Sequence, residues 1–250
     1  MRVKSKSATS RRALLKGGIG LAAGAATVPG GVNAQAVDSD ATLQRLTGAN
    51  PNTRRILLKG GTIISMDRAV GDFAQGDILV EGQKIAAVAR AIDGPGQDGS
   101  AIVIDAKDTV VIPGMVDCHR HAWEGQIRGV IPNSATIGEY MGATHQGFAP
   151  HYRPDDMYAG NLITALGCID AGITCMIDNS HNSRSAAHSD AAVQALIDSG
   201  IRGVHASGAP QTGDWDKQWP QDLVRLQKKF FASTDQLVTL RMFAERTRPT

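Results

Sequence analysis

The sequence predicts an α/β protein in which a short β-rich unit precedes a parallel sheet covered by helices. Residues 55–110 contain short Val- and Ile-rich segments separated by glycine and aspartate, a pattern typical of small sheets. From residue 111 onward, four apolar strand-like segments alternate with helical patterns, and this alternation indicates a parallel sheet.

The first 36 residues have the features of an export signal. They contain six basic and no acidic residues, followed by an apolar stretch from Gly17 and an A-x-A cleavage pattern at 34–36. Arg11 and Arg12 lie in SRRALLK, which is similar to the twin-arginine export motif. We therefore predict a twin-arginine signal over residues 1–36. We also predict a periplasmic or secreted protein that has no membrane association beyond the cleaved signal.

Charge and cysteine content exclude several classes of protein. Without the signal, 20 basic and 24 acidic side chains remain, which gives a formal charge of −4. Because no basic patch interleaved with aromatic residues follows, we predict no nucleic-acid partner. Three cysteines without a C-x-x-C spacing argue against a disulfide framework and against a zinc ribbon.

The region before residue 111 is predicted to begin with a linker. Residues 37–54 are polar and contain Gly48 and Pro51. In the β-rich unit we expect two short strands around Gly60-Gly61 and a strand–turn–strand with its turn at 81–83. Two further strands are expected on either side of 106–108.

The region after residue 110 is predicted to consist of strand–helix units. The expected strands are 111–117, 173–178, 201–208 and 237–244, and the expected helices are 154–171, 188–200 and 216–232. These units take about 130 residues, whereas an eight-stranded barrel needs about 250. The pattern thus leaves open a smaller open sheet or the first half of a barrel.

Two histidines mark the end of the first of these strands. Side chains two residues apart in an extended segment point the same way, so His119 and His121 can converge on one ion. Parallel α/β folds place their chemistry at the C-terminal ends of strands. Neutral imidazole is a good ligand for zinc or iron, and Asp117 is positioned to orient a ring. Cys118 is expected to point to the opposite face, into the core.

Several motifs, in order, carry a resemblance to a known family. RILLKGGTIISM, GDILVEGQKIAAVA and VVIPGMVDCHRHAW resemble the amidohydrolase superfamily of metal-dependent hydrolases, in particular its cytosine/guanine deaminase and triazine chlorohydrolase branch. QIRGV, AGITCMIDNSH and SDAAVQALIDSGIRGVHASG resemble later segments of that family. The resemblance implies a TIM (β/α)8-barrel, truncated to about its first four β/α units. On this prediction residues 55–110 form the N-terminal part of a small β-sandwich, and residues 111–250 form the first half of the barrel.

The resemblance also implies a chemistry. One divalent metal, zinc or iron, would be held by His119 and His121, and metal-activated water would deaminate or dechlorinate a small nitrogen heterocycle. In that family the remaining metal ligands and the general base follow later strands, so the catalytic residues are unknown here. We therefore expect the chain alone to be inactive or nearly so.

Two other classes of function are weighed against the hydrolase. The first alternative is an exported, non-catalytic remnant that binds ligand or metal. The second is a dinucleotide-binding oxidoreductase, which the absence of G-x-G-x-x-G after a strand disfavours.

Other polar residues are weaker candidates. Glu124, Arg128 and His181 are predicted to contact substrate, with a solvated or structural role left open for each. Asp178 is expected to be a structural hydrogen-bonding residue, and Trp123 to pack in the core. Four further histidines are expected to be structural or exposed: His145, His151, His188 and His205. Exposed sheet edges favour pairing, so a homo-oligomer stays an open prediction.

Overall fold

The computed structural model describes residues 39–95, 98–131, 133–212 and 220–244. The predicted export signal, residues 1–36, lies outside the described residues. Within those ranges, no helix combines the length and the apolar character that crossing a bilayer requires.

Strands and helices are numbered along the chain. The strands among the described residues are β1 (Arg55–Ile63), β2 (Phe73–Glu81), β3 (Lys84–Ala89), β4 (Ile102–Asp105), β5 (Val110–Val111), β6 (Met115–Arg120), β7 (Ile173–Ser180), β8 (Arg202–Ser207) and β9 (Val238–Met242). The α-helices are α1 (Ser39–Gly48), α2 (Ile137–Met141), α3 (Pro154–Asp170), α4 (Ala186–Ser199) and α5 (Gln221–Phe230).

The first five strands form one sheet of order β3-β2-β1-β4, and β5 pairs in parallel with β1. The expected turn at 81–83 and the break at 106–108 are confirmed. The prediction of two strands around Gly60-Gly61 is wrong, since β1 is continuous. Gly60 adopts a φ of +81°, and its N–H donates to the carboxylate of Asp77 at 2.8 Å. A turned backbone can thus keep its donor satisfied inside the strand.

The segment predicted to be a linker contains a helix. Residues 39–48 form α1, whose sequence has no glycine or proline before its last residue. The guanidinium of Arg54 donates to the carbonyl oxygen of Leu46 at 2.9 Å and so satisfies one of the carbonyls near the helix end. A residue beyond the helix thus contributes to its C-terminal cap.

The described residues fall into two compact units. The first comprises residues 39–58, 78–87 and the described part of 92–105. Its core contains the buried side chains of Leu57, Leu79 and Ala101.

The second unit contains a four-stranded parallel sheet of order β6-β7-β8-β9. The predicted parallel sheet is thereby confirmed. Its first strand begins at Met115 rather than at residue 111, because Pro113 cannot donate to a ladder and Gly114 packs tightly against Thr174. The strand also ends later than predicted, at Arg120 rather than at residue 117, so His119 lies within it and His121 directly after it.

Helices join these strands at places that their sequences mark. Pro154 is the first residue of α3, and the carboxylate of Asp156 accepts the backbone N–H of Arg153 at 2.9 Å. Helix α4 ends at Gly200, which has a φ of +72°. The core between helices and sheet is mainly aliphatic with one buried aromatic ring, and its buried members include Ala165, Met176, Val193, Leu196, Ile201, Leu226, Phe231 and Val238.

Residues 122–151 were not assigned to any element from the sequence. The described part of this connection contains a 3₁₀ turn (Ala122–Ile127), helix α2, a π-helical segment (Gly142–Phe148) and a second 3₁₀ turn (Ala149–His151). The first 3₁₀ turn packs closely on α3. This connection places Glu124 and His145 near the ends of the parallel strands.

Candidate metal centre

The predicted histidine pair lies at the C-terminal end of β6. The rings of His119 and His121 are 4.9 Å apart between centroids. Nδ1 of His121 is 2.9 Å from the carbonyl oxygen of Asn179. Since a carbonyl only accepts, Nδ1 carries the proton and Nε2 keeps its lone pair. A second nitrogen fixed by a carbonyl is the usual condition of a metal-binding histidine. Imidazole donors of this kind fit a borderline divalent ion, while the role of the pair as ligands stays a prediction.

Two neighbours of the pair differ from the expectations. The carboxylate of Asp117 accepts the Arg120 guanidinium at 2.7 Å and the backbone N–H of His119 at 3.1 Å. Asp117 therefore orients the backbone of β6 rather than an imidazole. Cys118 is exposed, so its assignment to the core is wrong. Cys118 lies in β6, the edge strand of its sheet, and the neighbouring His119 is also exposed.

Asp178 has the structural role that was predicted for it. Its side chain is fully buried and accepts the backbone N–H of Ala122 at 2.9 Å. Its other oxygen lies 3.3 Å from Nδ1 of His205, which is also fully buried. Asp178 thus ties the end of β7 to β8 and to the residue that follows His121.

Two further histidines complete a chain of rings beside the pair. The centroid of His181 is 4.1 Å from that of His121 and 4.9 Å from that of His145. Both His145 and His181 are 2% exposed. His181, which is predicted to contact substrate, is buried in the structure. His145 was expected to be structural or exposed, and the structure places it among the ring cluster.

Glu124 brings a carboxylate to the same cluster. The hydroxyl of Tyr140 donates to its Oε1 at 2.6 Å, and Nε2 of His145 is 3.8 Å from that oxygen. One potential ligand atom from each of Glu124, His145 and His181 lies within 4.8 Å of the others. The described residues therefore contain a three-residue group that can hold a divalent metal.

Burial governs the protonation of this cluster. It lowers the pKa of His181 to about 3, with a further contribution from His121. It lowers the pKa of His145 to about 4, assisted by His121 and Arg184. Burial also raises the pKa of Glu124, although the Tyr140 hydroxyl acts in the opposite direction. Both imidazoles are thus neutral at pH 7 and have lone pairs to offer.

The remaining candidates divide between the surface and the core. Arg128 is exposed and lines the same cavity as His119, His121 and Glu124. That cavity, of about 800 Å³, continues along one side of α3. Trp123 is fully buried and stacks edge-on against Tyr152 at 5.1 Å between centroids, so the prediction that it packs is confirmed.

Sequence reasoning missed His145 for a physical reason. It lies 21 residues after Glu124 and 36 before His181, so no short spacing links the three. It also lies in a π-helical segment, whose register has no recognised sequence signature. Segments of this kind are rare and frequently occur at functional sites, a signal visible only in the structure.

Imidazoles and a carboxylate at the C-terminal ends of parallel strands define the class of site found in metal-dependent hydrolases with barrel folds. No family profile matches the chain. Among curated proteins, it is 30% identical to a 5-methylthioadenosine/S-adenosylhomocysteine deaminase of Symbiobacterium thermophilum, over 62% of this chain and 34% of that protein. It is 28% identical to a 5'-deoxyadenosine deaminase of Methanosarcina acetivorans, over 49% of this chain and 27% of that protein.

Solved structures share the fold. A mutant atrazine chlorohydrolase from Arthrobacter aurescens TC1, complexed with zinc and atraton, aligns with a TM-score of 0.61 and 23% identity. That alignment covers 75% of this chain and 46% of the other. Guanine deaminase from C. acetobutylicum with bound guanine aligns with a TM-score of 0.54 and 18% identity, over 76% and 46% of the two chains.

These likenesses confirm the predicted resemblance to the amidohydrolase superfamily. The sequence relatives named above are deaminases, and the structures that align with this chain are a triazine hydrolase and guanine deaminases. The chain spans about a third of the length of the curated relatives it matches.

Proposed function

We propose that this chain is part of a metal-dependent hydrolase that acts on carbon–nitrogen bonds other than peptide bonds. Its substrate is proposed to be a small nitrogen heterocycle, which it deaminates or dechlorinates. The observation that carries the proposal is His121, whose Nδ1–H bond to the carbonyl of Asn179 leaves Nε2 free beside the ring of His119. The deaminases among its relatives support the same reaction class.

The chain's own residues have separable parts in this proposal. A divalent cation, zinc or iron, held by His119 and His121 would supply the means to activate water near neutral pH. The Asn179 carbonyl fixes the ring of His121 before any ligand arrives, which reduces the reorganisation that binding requires. Glu124 and Arg128, which share a cavity with the pair, are proposed to contact the substrate ring and its polar substituents.

The activity is tested with the protein isolated from its native host, whose intact mass is determined first. Release of ammonia or chloride is then measured with a panel of aminopurines, deoxyadenosine derivatives and chlorotriazines. We expect His121→Ala to lower turnover at least about 100-fold. The matched control is His151→Ala, which alters an exposed histidine. Equal turnover in wild type and His121→Ala would contradict the proposal.

We further propose that the 250-residue chain alone turns over little or no substrate. His119 and His121 are two ligands, whereas catalytic zinc usually has three from the protein. Detectable metal-dependent turnover by residues 37–250, abolished by His119→Ala, would refute this. Ligand or metal binding without turnover in the native-host protein would instead favour a non-catalytic remnant.

Export through the twin-arginine route is also proposed, on the basis of residues 1–36. Replacing Arg11 and Arg12 with lysine is expected to retain the unprocessed protein in the cytoplasm. Cell fractionation with antibody detection measures this, and unchanged periplasmic accumulation would contradict the proposed route.

A further inference from the structure

We propose that Glu124, His145 and His181 bind a divalent transition-metal ion of their own, separate from the His119–His121 pair. The three side chains come from the first 3₁₀ turn, from the π-helical segment and from the residue after β7. One potential ligand atom of each lies within 4.8 Å of the other two.

The distances require only a small closure around an ion. Zinc–nitrogen and zinc–oxygen bonds of about 2.0–2.2 Å place tetrahedral ligand atoms about 3.3 Å apart. The three ligand atoms now lie up to 4.8 Å apart. Side-chain rotations that move each atom by about 1 Å would therefore bring all three within bonding distance of one ion. The backbone of His145 is held in place meanwhile, because its carbonyl oxygen accepts the hydroxyl of Thr212.

An unsatisfied buried nitrogen points independently to a ligand. Nδ1 of His181 finds no hydrogen-bond partner among the described residues, although the residue is 2% exposed. A buried polar atom without a partner is costly and rare in folded proteins. A bound cation would satisfy this nitrogen, or would bind the other ring nitrogen and fix its tautomer.

The negative charge of Glu124 also favours a cation in this cluster. Glu124 is partly buried. Among the described residues, His145 is the basic side chain that lies in ion-pair range of its carboxylate. The carboxylate accepts the Tyr140 hydroxyl at 2.6 Å and lies 3.8 Å from Nε2 of His145, so a cation between the two rings and the carboxylate would be paired with its negative charge.

The donor set selects the kind of ion. Calcium and magnesium prefer all-oxygen shells, whereas two imidazoles and one carboxylate suit zinc, cobalt or iron. An ion here would join three chain segments that are far apart in sequence. It would thus stabilise residues 122–151, which contain few regular helical turns of their own.

The test is a Co²⁺ titration of the untagged, full 250-residue chain, followed by its visible absorption and by metal analysis after gel filtration. The double variant His119→Ala/His121→Ala is expected to retain one Co²⁺ equivalent with the wild-type absorption band of this site. Glu124→Gln and His145→Ala are each expected to weaken that site at least tenfold. His151→Ala, the matched control, is expected to bind as wild type does.

Three results would overturn the proposal. One is loss of all Co²⁺ binding in the His119→Ala/His121→Ala variant while its circular dichroism is unchanged. Another is wild-type affinity in both Glu124→Gln and His145→Ala. The third is the absence of saturable Co²⁺ binding in the wild-type chain up to millimolar concentration. Glu124→Gln preserves side-chain shape, so it decides the matter if His145→Ala fails to fold. Since no readout is turnover, the result is independent of the proposed hydrolase activity.

Discussion

The close approach of helix α3 to the first 3₁₀ turn is expected to depend on one glycine, Gly160. A Cβ added at this position would lie 2.3 Å from the carbonyl oxygen of Trp123 and 2.9 Å from its carbonyl carbon. Ordinary close C···O contacts are about 3.3 Å or longer. The variant Gly160→Ala therefore requires the helix and the turn to separate by about 1 Å. Both Gly160 and Trp123 are buried, and both contacts are to backbone, so no flexible side chain can move aside.

The size of the effect follows from two opposing terms. Overpacking a well-packed site costs about 1–3 kcal/mol. Replacing glycine by alanine within a helix recovers about 0.8–1.0 kcal/mol. We therefore expect Gly160→Ala to lower the free energy of unfolding by up to about 2 kcal/mol. The same helix offers a matched control, Gly167, whose added Cβ would meet no described atom within 4 Å. Gly167→Ala should stabilise the chain by about 0.5–1 kcal/mol.

Urea unfolding followed by far-ultraviolet circular dichroism measures both variants, with linear extrapolation to zero denaturant. Because helix propensity favours alanine at both positions, the two variants are expected to differ by the steric cost alone, about 1–3 kcal/mol. The same shift would displace Glu124, the residue after Trp123, and so weaken Co²⁺ binding in Gly160→Ala alone. If Gly160→Ala is as stable as Gly167→Ala, the backbone approach does not limit this position and the reasoning fails.

Three other outcomes are expected. The metal-free chain should lose stability as the pH falls from 6.5 towards 4, because folding holds His145 at a pKa of about 4 while the unfolded chain protonates at its ordinary value. The contribution of His145 to this loss should be at most about 3 kcal/mol, and His181, with a pKa of about 3, adds to the total. Urea unfolding in EDTA measures the His145 contribution as the difference in pH dependence between wild type and His145→Gln; an equal pH dependence in both would contradict it. Asp178→Ala should cost about 1–3 kcal/mol, since the buried N–H of Ala122 loses its acceptor; a cost under about 0.5 kcal/mol by the same assay would count against that role. Tyr140→Phe should cost about 1–2 kcal/mol at pH 7 by removing the hydroxyl that donates to Glu124, and unchanged thermal unfolding would disprove it.

The part of the fold that could be predicted has strong local signals. Strand–helix alternation after residue 111 predicted the parallel sheet, and Pro154 and Gly200 marked helix ends that the structure confirms. Residues 122–151 could not be predicted in the same way. Elements of five to seven residues are too short to show a hydrophobic period, and a 3₁₀ turn or π-helical segment does not follow the period of 3.6.

In the candidate site, too, local features could be predicted from the sequence and long-range contacts could not. The proximity of the His119 and His121 rings could be predicted because side chains two residues apart in an extended strand share a face; their role as metal ligands stays a prediction. The position of His145 beside His181 depends instead on how a long connection returns to the strand ends. No local rule encodes that path. Proximity of these two rings is therefore a tertiary property, and only the structure could reveal it.

The strand ends carry more buried polar groups than stability alone explains. Nδ2 of Asn179, Oγ of Ser180 and Nε2 of His205 find no hydrogen-bond partner among the described residues. Each such group costs about 1–3 kcal/mol, and apolar side chains of similar size would avoid that cost. They cluster at the ends of β7 and β8, next to His121 and His181, rather than throughout the sheet. Sequences that break local rules of stability at one place usually do so where a ligand compensates. The same strand ends that hold the imidazoles are thus the place where a bound ion or substrate would restore the missing interactions.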